Sequence, residues 1–325
     1  MSFMPIIGHV RLRQRVAQQL AAGSLPQVSL FYGVSGIGKR LVALETAGRL
    51  LCEQKVTPCG TCDGCLRVIA GNHPDLIWVK PTPPKSYKAA AEGAEVDEDV
   101  EAENKKTKRK GGVNLTIKVD DVKAAKARLV YQPLIGRHQV LIIDEAHLMN
   151  VATGNSLLKI LEEPRPHLVV MLITSRFHRI LPTLRSRSAK IPFVPLTPEE
   201  VVHVLKSYPV VQKTDSQFLF FLARAFQGSA GTVIKALESG LTQALLDGFS
   251  ASTNSVADIQ KMAKEVVAAE VDLRLFLQAF KYKVLEALSA SPAFEEIGLL
   301  EKIAACDAQI DKHIQRDFIL ESLFF

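Results

Sequence analysis

No apolar run in this 325-residue chain approaches the ~18 residues that a bilayer-spanning helix requires. The first residues, MSFMPIIGHV, carry no basic segment leading into an apolar core, so they do not read as a secretory signal. Both absences point to a soluble, cytoplasmic protein with no membrane partner. Cysteine is scarce: five in all, too few to staple a disulfide-held secreted domain. No segment recurs at a fixed period, which sets aside a repeat array. Residues 81–112, PTPPKSYKAAAEGAEVDEDVEAENKKTKRKGG, contain almost no large apolar side chain. Such a stretch cannot bury enough surface to offset its ordering entropy, so a disordered insertion is expected there. Its acidic block, Glu92 to Glu103, and basic block, Lys105 to Lys110, fit two readings. One is a solvated loop whose charges attract each other; the other is an interaction arm built on KKTKRK.

What is present suits a globular protein of two or three domains. The hydrophobic fraction is 47%, enough for a sizeable core. A formal net charge of +6 permits a nucleic-acid partner without establishing one. The runs VSLFYG (28–33), DLIWVK (75–80), HQVLIIDEAHLM (138–149) and HLVVMLITS (167–175) contain strands. Helical spacing separates them: after Gly38, over 120–131 and over 152–162. Strands alternating with helices predict a doubly wound α/β domain with a parallel sheet, over 1–195. After Phe193 only helical periodicity remains. LTPEE (196–200) offers Thr197 as N-cap, Pro198 in the first turn and Glu200 three residues after the cap. Leu273, Phe276, Leu277, Phe280 and Val284 fall on one helix face. The expected division is a small helical domain at 196–240 and a larger all-α one at 245–325.

The turn between the first strand and its helix reads GVSGIGKRLV, 33–42. A phosphate-binding loop wants Gly, four residues, Gly, Lys, then Ser or Thr. Gly33, Gly36, Gly38 and Lys39 supply the glycines and the cation; the next residue is Arg40. Glycines let the backbone wrap a phosphate, and the helix N-terminus adds its dipole. The missing hydroxyl is the one that ligates Mg²⁺, and arginine has no acceptor to replace it. Arg40 is expected to weaken catalysis more than binding; its guanidinium either meets a phosphate or points to solvent. Asp144, at the carboxyl end of an apolar strand, is placed to hold Mg²⁺ through water, and Glu145 to polarise an attacking water. Thr174 ends the next strand, where a hydroxyl can sense a γ-phosphate or simply close the strand.

Four cysteines crowd into CEQKVTPCGTCDGC, spaced C-x6-C-x2-C-x2-C at Cys52, Cys59, Cys62 and Cys65. Four thiolates with glycines in the short turns suit tetrahedral, structural Zn²⁺ with no open position. An iron–sulfur cluster also uses four cysteines. The neighbouring nucleotide-type loop, and the lack of a redox partner site, favour zinc. Cys306 reads as a small buried apolar residue.

Together these residues resemble the delta-prime subunits of bacterial DNA polymerase III clamp loaders, a family of AAA+ proteins. The likeness covers nearly the whole chain outside 81–112. It rests on IIGHVRLRQRVAQQL, the cysteine module after the first helix, GNSLLKILEEPRPH, LPTLRSRS and QRDFILESLFF. The resemblance implies an AAA+ P-loop-type domain, a helical lid and an oligomerising collar. It implies a hetero-oligomer with motor subunits and a delta subunit. The partners it adds are a sliding clamp and, through the complex, primer–template DNA within a polymerase holoenzyme. It also implies that Arg187 is an arginine finger entering a neighbour's ATP site; from spacing alone, Arg187 would be a solvated basic patch with Arg185.

Two departures bear on ATP and Mg²⁺ as cofactors. Motor subunits carry Ser or Thr where this chain has Arg40. They also carry a sensing arginine in the stretch matching GSAGTVIKAL (228–237), which has none here. Ser188 stands where the family usually has Cys. The pattern is that of a stator: the fold is kept, an arginine is lent, and ATP is not turned over. Two other readings stand beside it. One is an active AAA+ ATPase with Lys39, Asp144 and Glu145 working in cis. The other is a zinc-dependent DNA-binding module, against which only Lys55 is basic between the cysteines.

Overall fold

The computed structural model describes residues 6–54, 58–83, 115–211, 214–251, 263–290, 294–310 and 320. The chain divides into two compact units, Met1–Val194 and Pro195–Phe325.

In the first unit five strands form one parallel sheet: β1 Val28–Tyr32, β2 Leu76–Val79, β3 Gln139–Ile143, β4 Leu168–Thr174 and β5 Ala189–Pro192. Around it run α1 Val10–Ala21, α2 Lys39–Leu51, α3 Asp63–Ala70, α4 Val119–Arg128, α5 Val151–Glu162 and α6 Pro182–Ser186. Strands β3 and β4 are buried at every residue. The reason is that side chains alternate across a strand and helices cover both faces. Leu141, Ile143, Val170 and Leu172 pack with Val122 of α4 and Leu157 and Leu161 of α5. Val140, Ile142, Met171 and Ile173 pack with Val42, Ala43 and Ala47 of α2. Each fully buried Leu, Ile or Val contributes about 1.5–3 kcal/mol, which makes these two layers the main hold on the sheet. The strand order is β2-β3-β4-β1-β5. The chain crosses from β1 to the far edge at β2, and the carboxyl ends of strands beside such a crossover are where these sheets bind ligands.

Two sequence expectations shift here. Helix α4 ends at Arg128 rather than Tyr131. Pro133 disfavours helical backbone in the residue before it. Beyond it the buried Asp75 carboxylate accepts from the amides of Leu134 (2.7 Å), Ile135 (2.9 Å) and Gly136 (3.1 Å), fixing a loop instead. Residues 81–83, the start of the expected disordered insertion, are placed. Thr82 and Thr116 exchange backbone hydrogen bonds of 2.9 and 3.1 Å. The rest of that insertion, 84–112, lies outside the described residues.

The second unit is helical: α7 Pro198–Leu205, α8 Ser216–Ala225, α9 Ala230–Glu238, α10 Gln243–Ala251, α11 Leu273–Ala290 and α12 Phe294–Gln309. The start of α7 is a capping box. Thr197 Oγ1 accepts from the Glu200 amide, and the Glu200 carboxylate accepts from the Thr197 amide. Leu273, Phe276, Leu277, Phe280 and Val284 are all buried, as is Cys306. The helices expected as a lid (196–240) and those expected as a collar (from 245) share one apolar core. The Phe221 and Tyr282 rings meet edge-on at 5.6 Å, and Gln278 Nε2 donates to the Ala225 carbonyl at 3.2 Å. Among the described residues, no helix is long and apolar enough to cross a membrane.

Candidate nucleotide and metal sites

The glycine loop leaves β1 at the sheet's carboxyl edge. Gly36 and Gly38 adopt φ of 76° and 100°, a region that favours glycine over residues with a Cβ. A Cβ on Gly33 would lie 2.7 Å from the Phe193 carbonyl oxygen, so the strand end and β5 can close only around glycine. Lys39 begins α2 and is buried. Its Nζ donates to the carbonyls of Gly33 (2.9 Å) and Val34 (2.7 Å), so the loop folds round the ammonium. An ammonium has three N–H donors, and one remains beyond these two bonds. Burial lowers the Lys39 pKa, opposed by the carboxylates of Glu145 and Asp144. His9 Nε2 lies 2.6 Å from the Ile37 carbonyl and braces the loop from the N-terminal segment.

Arg40 does not point to open solvent. Its guanidinium forms an ion pair with the Asp144 carboxylate at the end of β3. The Arg40 side chain stays 54% exposed, whereas that of Asp144 is 2% exposed. Burial raises the Asp144 pKa, and the Arg40 charge opposes that rise. The guanidinium carbon also lies 5.9 Å from the centre of the Trp78 ring on β2, and Lys80 Nζ lies 4.1 Å from it. Mg²⁺ requires oxygen ligands in near-octahedral array. Here the position of the metal-binding hydroxyl holds a cation, and that cation engages Asp144. The residues present fit a phosphate in the loop and do not fit Mg²⁺ beside it.

Glu145 is held in the left-handed region, at φ 47° and ψ 50°. Non-glycine residues there are uncommon and are kept by their surroundings. Ser175 Oγ donates to Glu145 Oε2 at 2.9 Å, and His147 Nδ1 lies 3.3 Å from the same oxygen. Burial lowers the His147 pKa, which favours the uncharged ring beside that carboxylate. His147 Nδ1 also lies 3.1 Å from Thr174 Oγ1, which accepts from the Arg176 amide at 3.0 Å. Thr174 is buried at the end of β4, paired in register with Tyr32 of β1. The structure therefore links Thr174, His147 and Glu145 into one polar chain.

Arg187 follows α6. Its Nη2 lies 2.7 Å from Glu162 Oε1 at the end of α5, and Nη1 donates to the Thr183 carbonyl at 3.2 Å. The side chain is 36% exposed. Arg185 lies over the Phe177 ring at 5.3 Å.

The four cysteines converge. Their sulfurs all lie within 4.8 Å of one another, with Cys52–Cys62 and Cys59–Cys65 at 3.9 Å. Zn–S bonds of about 2.3 Å in a tetrahedron put sulfurs about 3.8 Å apart, so the set fits zinc. Backbone amides turn toward the sulfurs: Gln54 to Cys52 (3.4 Å), Cys62 to Cys59 (3.3 Å) and Cys65 to Cys62 (3.3 Å). The Thr61 and Cys62 amides, with the Thr61 hydroxyl, pull the Cys59 thiol down to about 6, while burial pushes the Cys65 thiol up. Cys62 is also the N-cap of α3. A Cβ on Gly64 would lie 2.5 Å from the Leu51 carbonyl oxygen, which explains the glycine between the last two ligands.

A family model described as DNA polymerase III, delta subunit, matches residues 8–197 of this chain. The chain belongs to the DNA polymerase III delta-subunit family. It is 33% identical over 199 residues to the DNA polymerase III subunit gamma/tau of Mycobacterium bovis, covering 61% of this chain and 29% of that protein. It is 34% identical over 160 residues to the DNA polymerase III subunit delta' of Pseudomonas aeruginosa, covering 49% and 40%. The chain thus spans less than half the length of either relative. A DNA polymerase III gamma subunit-related protein from Thermotoga maritima superposes with a TM-score of 0.45 at 15% identity, covering 97% and 96%.

Sequence reasoning missed several partners in this family member's sites. Trp78 and Lys80 enter through strand pairing, since Val79 is in register with Ile143 and its carbonyl accepts from the Asp144 amide at 3.0 Å. His9, Ser175 and the pairing of Glu162 with Arg187 likewise depend on contacts between distant segments. Only His147, in IIDEAH, carried a local signal, three residues past the acidic strand end.

Proposed function

We propose that this chain is the delta-prime stator of a bacterial clamp loader. In this reading it keeps the AAA+ fold without turning over ATP, and lends Arg187 to a neighbouring motor subunit. Relatives bear both gamma/tau and delta' names, so the names alone do not separate motor from stator. The observation that carries the reading is the Arg40–Asp144 ion pair. It engages the carboxylate that would hold the catalytic metal, and without Mg²⁺ the charge developing on a γ-phosphoryl group goes unneutralised. The exposed Arg187 guanidinium supports the second half of the proposal. Residues 1–195 then serve as the nucleotide-type domain with its zinc module, 196–240 as the lid, and 245–325 as the collar. The partners are motor subunits, a delta subunit, the sliding clamp and primer–template DNA.

The placement of Lys39 and the held Glu145 favour a second reading, a working ATPase in cis. One experiment separates them: the DNA- and clamp-stimulated ATPase rate of the reconstituted loader. The stator reading expects Arg187→Ala to slow turnover and Lys39→Ala to leave it unchanged. A loss of turnover with Lys39→Ala would instead assign hydrolysis to this chain.

A further inference from the structure

We propose that this site binds a nucleoside polyphosphate without a divalent cation, with Arg40 standing in the cation's place. The proposal rests on the stator reading, and adds to it a resident nucleotide that is held rather than spent.

In a metal-dependent site the cation bridges an acidic strand end and the phosphate oxygens. Arg40 can make the same bridge with N–H donors. A guanidinium carries five of them in a planar fork, and one end here is on Asp144. The side chain remains half exposed, so part of its donor fork is open to solvent. The Trp78 ring lies against the guanidinium and the Lys80 ammonium alike, limiting their swing away from the site. Lys39 adds its third N–H from inside the loop.

The charges point the same way. Lys39, Arg40 and Lys80 give three positive charges. Asp144 is engaged by Arg40, and Glu145 by Ser175 and His147. A divalent cation would enter beside the guanidinium with no uncommitted carboxylate to hold it. A polyphosphate chain would meet the N–H donors of Lys39, Arg40 and Lys80. Bound this way, it lacks the metal that phosphoryl transfer requires, so binding and hydrolysis come apart.

Trp78 is the only tryptophan in the chain, so its fluorescence reports on this site. The full-length chain, stripped of nucleotide, is titrated with ADP in EDTA and again in excess MgCl₂. Trp78 emission and calorimetry are followed together. The expected result is saturable binding in EDTA, no weaker than in Mg²⁺, with a change in Trp78 emission. Arg40→Thr restores a hydroxyl ligand and should reverse the preference, binding at least about tenfold more tightly with Mg²⁺ than with EDTA. The proposal is overturned if wild-type protein shows no binding up to about 1 mM ADP, or binds only with Mg²⁺. Binding that leaves Trp78 emission unchanged overturns it too. The wild-type comparison decides the matter even if Arg40→Thr fails to fold. These outcomes are independent of the Arg187 measurement, so a failure here and a failure of the stator reading can be told apart.

Discussion

Arg187 is held by Glu162 of its own chain, with Nη2 2.7 Å from Oε1. The carboxylate sits at the last turn of α5, so the helix that follows β3 also aims the guanidinium that follows α6. In the stator reading, Arg187→Ala should slow single-turnover hydrolysis at the neighbouring site by about 10³-fold, the lower end of what such fingers contribute. Glu162→Ala should slow it far less, by about fivefold or below, because a pair this exposed is worth no more than about 1 kcal/mol. Equal losses in the two variants would mean Glu162 does more than aim its partner.

Arg40→Ala leaves Asp144 nearly buried without its charged partner. Arg40 is half exposed, so the expected cost is modest, about 1–2 kcal/mol at pH 7 by urea unfolding. Burial already raises the Asp144 pKa. Loss of Arg40 raises it further, so the variant should recover toward wild type as pH falls and Asp144 takes up a proton. A gap that does not narrow at low pH would show that the pair stabilises through packing rather than charge.

The metal-free chain offers a direct reading of the cysteine module. With Cys59 drawn down to about 6, its alkylation by iodoacetamide should rise through a midpoint near pH 6 and level off above it. Cys65, pushed up by burial, should stay slow across that range. Bound zinc should protect all four, and metal analysis should find one zinc per chain. Cys62→Ala removes a ligand and the α3 N-cap together, so it should cost about 1 kcal/mol more than Cys52→Ala.

Glu45 of α2 is buried and takes Arg13 Nε at 2.6 Å, Arg13 Nη2 at 3.0 Å and Arg49 Nη2 at 2.8 Å. Burial alone would raise its pKa; the two arginines overcome that and lower it. Glu45→Ala should destabilise the first unit by about 2–4 kcal/mol, since both arginines lose this buried carboxylate. A depressed folded pKa means this contribution is full above the unfolded value near 4.5. It is lost as pH falls through the lower, folded one. Thermal melts at pH 7 and pH 3 should therefore show wild type and variant converging in acid.

Local chemistry made much of the fold readable. The apolar run Val140–Ile143 could only be a covered strand, and Thr197 with Glu200 could only begin a helix. The loop beyond α4 was not readable, because the carboxylate that fixes it, Asp75, lies more than fifty positions upstream. The candidate site divides in the same way. Glycines, Lys39, Asp144 and the cysteines announce themselves by spacing. The fate of Arg40 does not, since nothing near it in sequence says that β2 and β3 will bring Trp78 and Asp144 within its reach. The shared core of the helical unit was also hidden: periodicity gives each helix a face but not the partner it packs against.

Thr82 and Thr116 clasp the two ends of the charged segment with a pair of backbone bonds. The lead out of β2 and the lead into α4 are thereby fixed to each other through main chain. No side-chain change at either threonine removes that tie; only proline, which lacks the N–H, would break it.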